Sequence, residues 1–242
     1  MIYSTKGIVL RSLKYGETSV IASIYTEIFG IQSYLMNGVR TQGKTSKAHF
    51  FQPSSLLDLQ VYHNELKNLQ RIKDLRWSVI YKNILSDVTK NAVALYMVEL
   101  LYKCLKQPEA NVDLFHFCED ALLQLDISSE EITANFPLYF SLQLTQFFGF
   151  QLQDNYSEIK SVFNPHDGNF STEESASPDH FNKETSYYIS QLLKAIHPNE
   201  LSEIKLNRNV RKSILKNIES YYAWHIPEFG TMKTLTVLHE II

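Results

Sequence analysis

Cysteine is almost missing from this sequence: Cys104 and Cys118 are the only two among 242 residues. Fourteen positions apart and inside helix-like apolar patterns, they do not make a zinc site on their own. They read as buried thiols of a reducing compartment, ahead of a disulfide. No apolar run reaches the length of a membrane span. The N-terminal apolar stretch is interrupted by Lys6 and Arg11, so it lacks the pattern of a signal peptide. Glycine-rich phosphate loops are missing, as neither GxxxxGK[ST] nor GxGxxG occurs, and there is no GxSxG elbow. "HEII" at 239–242 begins like HExxH but meets no second histidine. His166, Asp167 and His180 match no common metal spacing. Glu130–Glu131 and Glu173–Glu174 are sequence neighbours, which point apart on a helix rather than forming an acid/base pair. The Tyr/Trp/His group in "ESYYAWH" reads as helix packing. These absences exclude the common catalytic and cofactor sites, and the expectation is a non-enzyme with no metal and no cofactor.

Acid is the other absence. Residues 28–57 contain no Asp or Glu, yet "NGVRTQGKTSKAHF" (37–50) carries Arg40, Lys44 and Lys47 between Gly38 and Gly43. Residues 1–76 hold ten Lys and Arg against five acids, a net +5, and the remainder is net −8, within an overall −3. A basic first third on an acidic body suits a chain of which one end seeks a polyanion. On charge alone, a solvated surface loop is still the favoured reading.

What is present divides into two periods. "GIVLRSLKY" places Ile8 and Leu10 on one face and Val9 and Arg11 on the other. "SVIASIYTEI" alternates Val20, Ala22 and Ile24 against Ile21, Ser23 and Tyr25. "IQSYLMNG" follows, and "SLLDLQVYH" alternates Leu57, Leu59 and Val61 against Asp58, Gln60 and Tyr62. "LKNLQRIKDLRW" repeats every third residue (Leu66, Leu69, Ile72, Leu75), which fits a helical turn better than a strand. Four strands and this fifth segment suit a small Greek-key barrel. Tyr3, Tyr15, Tyr25, Tyr34, Phe50, Phe51 and Tyr62 are interleaved with its cations, and the exposed minority of them would be free to stack on bases.

From about residue 78 the period becomes helical. Val93, Met97, Leu100 and Cys104 mark one helix, stopped before Pro108, and Phe115, Cys118, Leu122 and Leu125 another. Ser128 with Glu131 has capping-box spacing, and Pro137 suits a first helical turn. Tyr188, Leu192 and Ile196 predict a short helix. Val210, Ile214, Ile218, Tyr221 and His225 predict a longer one, and the tail predicts a last. Between them, Asp167-Gly168 in "SVFNPHDGNFS" signals a hairpin turn, and "STEESASPD" looks solvated.

"GIVLRSLKYGETSVIASIYTEIFG" resembles the opening of the RecO family of bacterial recombination and repair mediators. "MNGVRTQGK" is similar to that family's Gly-Arg-basic loop, and "YYAWHIPEFGTMKTLTVLHEII" to its C-terminal pattern. Many members carry a four-cysteine zinc module where this chain has "DNYSEIKSVFNPHDGNFS". With no cysteine after Cys118, the expectation is a retained hairpin without the metal, with Val162, Phe163 and Phe170 packing in its place.

The resemblance implies an α+β chain of two domains. Residues 1–77 would form a basic, DNA-binding, five-stranded OB-fold barrel in which "LKNLQRIKDLRW" is the fifth strand. Residues 78–242 would form an all-α domain with a hairpin insertion at about 153–182. It implies binding of single- and double-stranded DNA, strand annealing, and loading of recombinase on coated strands. The partners would be RecR and the C-terminal tail of single-stranded DNA-binding protein, with no membrane, in the cytoplasm at the nucleoid. It also reverses the reading of the charges. Arg40, Lys44 and Lys47, extended by Lys6, Arg11 and Lys14, become the DNA-binding residues. An acidic partner tail ending in a free carboxylate needs cations beside an apolar stripe. Arg208, Arg211, Lys212 and Lys216 offer them beside Val210, Ile214 and Ile218. The alternative is a protein-interaction adaptor whose helical domain is the main binding surface.

Overall fold

Alternation in the first third builds five strands: β1 (Ile2–Tyr15), β2 (Ser19–Thr26), β3 (Gly30–Met36), β4 (Leu56–Tyr62) and β5 (Leu69–Trp77). The structure, a computed structural model, describes residues 1–39, 47–172 and 181–242. The strands close into a barrel in the order β1-β2-β3-β5-β4, with β4 returning to pair with β1. Only β3 and β5 run parallel. This is the OB-fold arrangement. Val20, Ala22 and Ile24 of β2 and Leu57, Leu59 and Val61 of β4 enter one buried cluster, the faces that their alternation marks.

Two strands depart from strict alternation. In β1, Val9 pairs with Ile24 and Arg11 with Ser23, so Leu10 is an extra residue. In β5, Asp74 pairs with Gln60 and Ile72 with Val61, so Lys73 is an extra residue. A bulge of this kind inverts the facing of everything beyond it. Val9 and Arg11, expected on one face, are therefore separated: Val9 joins the core and Arg11 is exposed. In β5, buried Gln70 and Ile72 are followed by buried Leu75, an inward spacing of two and then three. The three-residue repeat in "LKNLQRIKDLRW" is thus a bulged strand rather than a helical turn. Leu66, which began the repeat, is exposed in the preceding loop.

The helices are α1 (Val88–Cys104), α2 (Val112–Ile127), α3 (Glu130–Leu144), α4 (Lys183–Lys194), α5 (Arg208–His225) and α6 (Lys233–Ile241). No helix among the described residues is long and apolar enough to cross a membrane. The chain gathers into two compact units. One is Met1–Lys82 with Leu101–Leu123, and the other is Asn83–Leu100 with Gln124–Ile242. Five helices begin on side-chain caps, where Asp87, Asn111, Ser129, Asn182 and Asn207 accept from the Lys90, Leu114, Ile132, Thr185 and Val210 amides. The cap of α3 is Ser129, because the Ser128 hydroxyl instead donates to the Leu125 carbonyl. Pro137 lies inside α3 rather than in its first turn. Its ring removes one helical hydrogen bond, and the buried run Phe136–Leu138–Phe140 holds the helix through that position. Ile196 lies beyond the end of α4 and is exposed. Helix α6 has no cap of its own. Glu99 of α1 supplies one: its carboxylate accepts from the Lys233 and Thr234 amides at 2.9 and 2.8 Å and from the Thr234 hydroxyl. A carboxylate there also faces the positive end of the helix dipole.

The expected hairpin forms from β6 (Val162–Asn164) and β7 (Asn169–Ser171), paired antiparallel. Gly168 occupies its turn at φ +64°, a conformation that favours glycine. Val162, Phe163 and Phe170 are all buried. Phe163 meets Phe170 at 5.2 Å and Phe181 at 4.9 Å, both edge-on, and the Ser186 hydroxyl accepts from the Phe163 amide. Most of "STEESASPD", and His180, lie outside the described residues.

Two outcomes follow from this packing. Phe163→Ala should destabilise the helical unit by about 3–5 kcal/mol, read by denaturant unfolding. A chelator should leave the thermal midpoint unchanged, because apolar rings hold the hairpin. Glu99→Gln weakens three charge-assisted bonds and should cost about 1–3 kcal/mol, with α6 amides the first to lose hydrogen-exchange protection.

Candidate nucleic-acid interface

The pairing registers sort the outer side of the barrel into rows. One row runs Lys6–Asp58–Arg76 across β1, β4 and β5. Its charges are compensated. Arg76 meets Asp58 at 3.0 Å, and Lys6 meets Glu119 of α2 at 2.7 Å. His116 stands 3.5 Å from Glu27 and 3.6 Å from Glu119. A recess of about 460 Å³ lies here, lined by Lys6, Glu27, Asp58, Asp74 and Arg76 among others. The bond that the Lys6 ammonium donates to Glu119 holds it above its ordinary pKa, against the opposing effect of partial burial.

A second row runs Leu13–Ile21–Leu35–Arg71–Tyr62–Ile2, passing through all five strands. Beside it lies Arg11–Ser23–Ser33–Leu69. Neither row contains a carboxylate. Arg11, Leu13, Tyr62, Leu69 and Arg71 are exposed, and neither arginine makes an ion pair among the described residues. Apolar and small side chains between two free guanidinium groups give a surface on which bases can lie while phosphates meet cations.

The sequence-predicted DNA residues therefore part company. Arg11 is on the carboxylate-free face. Lys14 pairs with Val20, and so has the inward facing at one end of the barrel, where it is exposed. Lys6 sits on the compensated row, committed to Glu119. Lys47 is exposed, and its amide bonds the Val39 carbonyl at 3.0 Å, just before a 3-10 turn at Ala48–Phe51. Arg40 and Lys44 lie outside the described residues. Of the interleaved aromatics, Tyr25, Tyr34 and Phe51 are buried, Tyr3 and Phe50 are half-buried, and Tyr15 and Tyr62 are exposed. Burial pushes the Tyr25 and Tyr34 hydroxyls well above their ordinary range. Tyr25 donates to the Asn111 carbonyl and packs on Phe115. Sequence reasoning missed Arg71, because the Lys73 bulge that turns it outward leaves no mark on composition. It also missed a ring cluster near Lys47, where Phe50 meets His49 at 4.4 Å and Trp77 at 4.8 Å.

The four cations assigned to a partner tail differ as well. Arg208 donates to the carbonyls of His239, Glu240 and Ile242 at the end of α6. Arg211 is half-buried and donates to Asn135 and to the Leu206 carbonyl, and burial lowers its pKa. Lys212 is half-buried and Lys216 exposed on the same helix. Among the described residues, no group of three or more His, Cys, Asp or Glu is placed to hold a metal ion.

The barrel order and the helical unit with its small hairpin define a class: two-part proteins that join an OB-fold to an all-α body. Comparison with known families is specific within it. The family model described as Recombination protein O N terminal matches residues 1–81, and that described as Recombination protein O C terminal matches residues 85–234. The DNA repair protein RecO of Christiangramia forsetii is 31% identical over 242 residues, covering 100% of this chain and 99% of the relative. That of Bacteroides fragilis (strain YCH46) is 30% identical over 248 residues, and that of Azobacteroides pseudotrichonymphae 28% over 241, with the same coverage. The chain belongs to the RecO family of DNA repair proteins.

The Lys6–Glu119 pair has a pH signature. A lysine whose folded pKa is raised contributes stability that is fully present below its unfolded value of 10.5 and is lost as pH rises through the higher folded value. Melting of the wild type should therefore fall across that alkaline window. In Glu119→Gln that fall should be smaller, and the difference between the two proteins should shrink as pH rises.

Proposed function

We propose that this chain is a non-catalytic DNA-binding mediator that tracks single and double strands across the carboxylate-free face of its barrel. The observation that carries the reading is the contrast between the two sets of outer cations. Lys6 and Arg76 are already neutralised by carboxylates, whereas Arg11 and Arg71 are not. Counterion release by free cations supplies most of the affinity for a nucleic-acid backbone. Lys14 and Lys47 add to that charge, as do Arg40 and Lys44 by sequence, and the reading does not use Lys6. Residues 1–77 would be the DNA-binding domain and 78–242 the partner-binding one.

Membership of the family extends the reading to annealing of complementary strands and to loading of recombinase on coated DNA at the nucleoid, with RecR as a partner. For the acidic tail of single-stranded DNA-binding protein, Lys212 and Lys216 are the better candidates. Arg208 and Arg211 are engaged with carbonyls and Asn135 within the helical unit.

Titration with single-stranded DNA over a range of salt tests this. Removing one phosphate-binding cation lowers the logarithmic salt slope by about 0.7, so Arg11→Ala with Arg71→Ala should lower it by roughly 1.4. Lys6→Ala should leave it nearly unchanged. An unaltered slope in the double variant, or an equal fall in Lys6→Ala, would contradict the assignment.

A further inference from the structure

The loop between β4 and β5 borders an open recess of about 580 Å³, lined by Tyr3, Tyr62, His63, Glu65, Lys67 and Arg71 among others. Volumes of this order accept small planar ligands. Tyr3, Tyr62 and His63 bring rings to this largely polar recess, and Phe29 packs behind two of them. His63 stacks on Phe29 with ring centroids 3.8 Å apart and planes inclined by 12°, and Tyr3 meets Phe29 edge-on at 5.2 Å. The loop is also held in shape from within. Gln70, buried in β5, accepts from the Asn64 amide and donates to the Asn64 and Lys67 carbonyls. The Asn64 side chain accepts from the Leu66 amide at 2.9 Å. A wall fixed before binding loses little entropy on receiving a ligand.

Tyr62 stands apart from this packing. It is 47% exposed, and its ring has no aromatic partner among the described residues. Arg71 lies directly opposite it on β5, so an exposed tyrosine and an exposed arginine are cross-strand neighbours. The same Arg71 continues the row Leu35–Ile21–Leu13. A strand lying along that row is thereby led to the recess.

We propose that the recess receives one unstacked nucleobase of a single strand, with Tyr62 as the stacking platform. Arg71 and Lys67 hold the flanking phosphates. Glu65, unsuited to a phosphate, accepts from an exocyclic amine. In OB-folds the β4–β5 loop is one of the two that border an oligonucleotide surface. The proposal rests on the DNA-binding reading above and adds a discrimination to it. A duplex, whose bases remain stacked, cannot fill the recess.

Three ligands separate the possibilities: a single-stranded oligonucleotide, the same strand with abasic sites, and a duplex, all at one salt concentration. Stacking of a base on an aromatic side chain corresponds to about 5- to 150-fold in affinity. Tyr62→Ala should therefore weaken binding of the intact single strand by about that factor. It should leave the abasic strand and the duplex within about twofold of wild type, and Tyr62→Phe should bind as wild type does. Equal weakening of all three ligands by Tyr62→Ala, or no weakening of the intact strand, overturns the base pocket while the DNA-binding reading stands. Failure of the wild type to bind any of the three at low salt overturns that reading, and the pocket with it.

Discussion

Closing the barrel requires β1 and β5 each to turn one face to the core, and both strands carry charge at close intervals. Continued alternation from Val9 would turn Arg11 inward, and continued alternation back from Leu75 would turn Arg71 inward. Burying an unpaired guanidinium costs several kcal/mol. The extra residues Leu10 and Lys73 remove that conflict. Each inserts one position, so that Val9 and Leu75 stay in the core while both arginines face outward. Everything else at the candidate interface depends on these two shifts. They align Arg71 with Leu35 on one side and Tyr62 on the other, and they set Arg11 beside Ser23.

The same closure divides the outer surface electrostatically. Where β1 meets β4, lysine, aspartate and arginine stand in sequence across three strands, and Glu119 completes the compensation. Where β1, β2 and β3 run together there is no carboxylate to do so. A local net charge of +5 in residues 1–76 is therefore not spread evenly. Carboxylate-paired and free cations are segregated to different faces, and only the free ones can exchange their counterions for a phosphate backbone.

Much of this was legible in the residues. Leu57, Leu59 and Val61 alternate without interruption, and they are buried as a set. The helices follow from three- and four-residue spacing, and Asp167-Gly168 marks the hairpin turn. The chemistry that failed to show was non-local. The carboxylate that engages Lys6 lies 113 positions away, and the cap of α6 comes from Glu99, 135 positions before Thr234. No window of sequence joins such partners. Bulges hide for a different reason: one inserted residue changes the period without changing the composition, so β5 imitates a helical repeat. Gln70 shows the same blindness at a single position. A polar residue in a strand reads as exposed, yet it is buried because the loop it closes offers a donor and two acceptors.

Hydrogen exchange of the full chain, alone and saturated with single-stranded DNA, tests the central claim most directly, because it reports which face of the barrel the strand covers. The account predicts added protection over residues 11–15 of β1, over β3, and over 62–71 around the β4–β5 loop. It predicts little change at 4–6 and 74–77, on the compensated side. Protection concentrated at 4–6 and 74–77, with 11–15 and 62–71 unaffected, would contradict it.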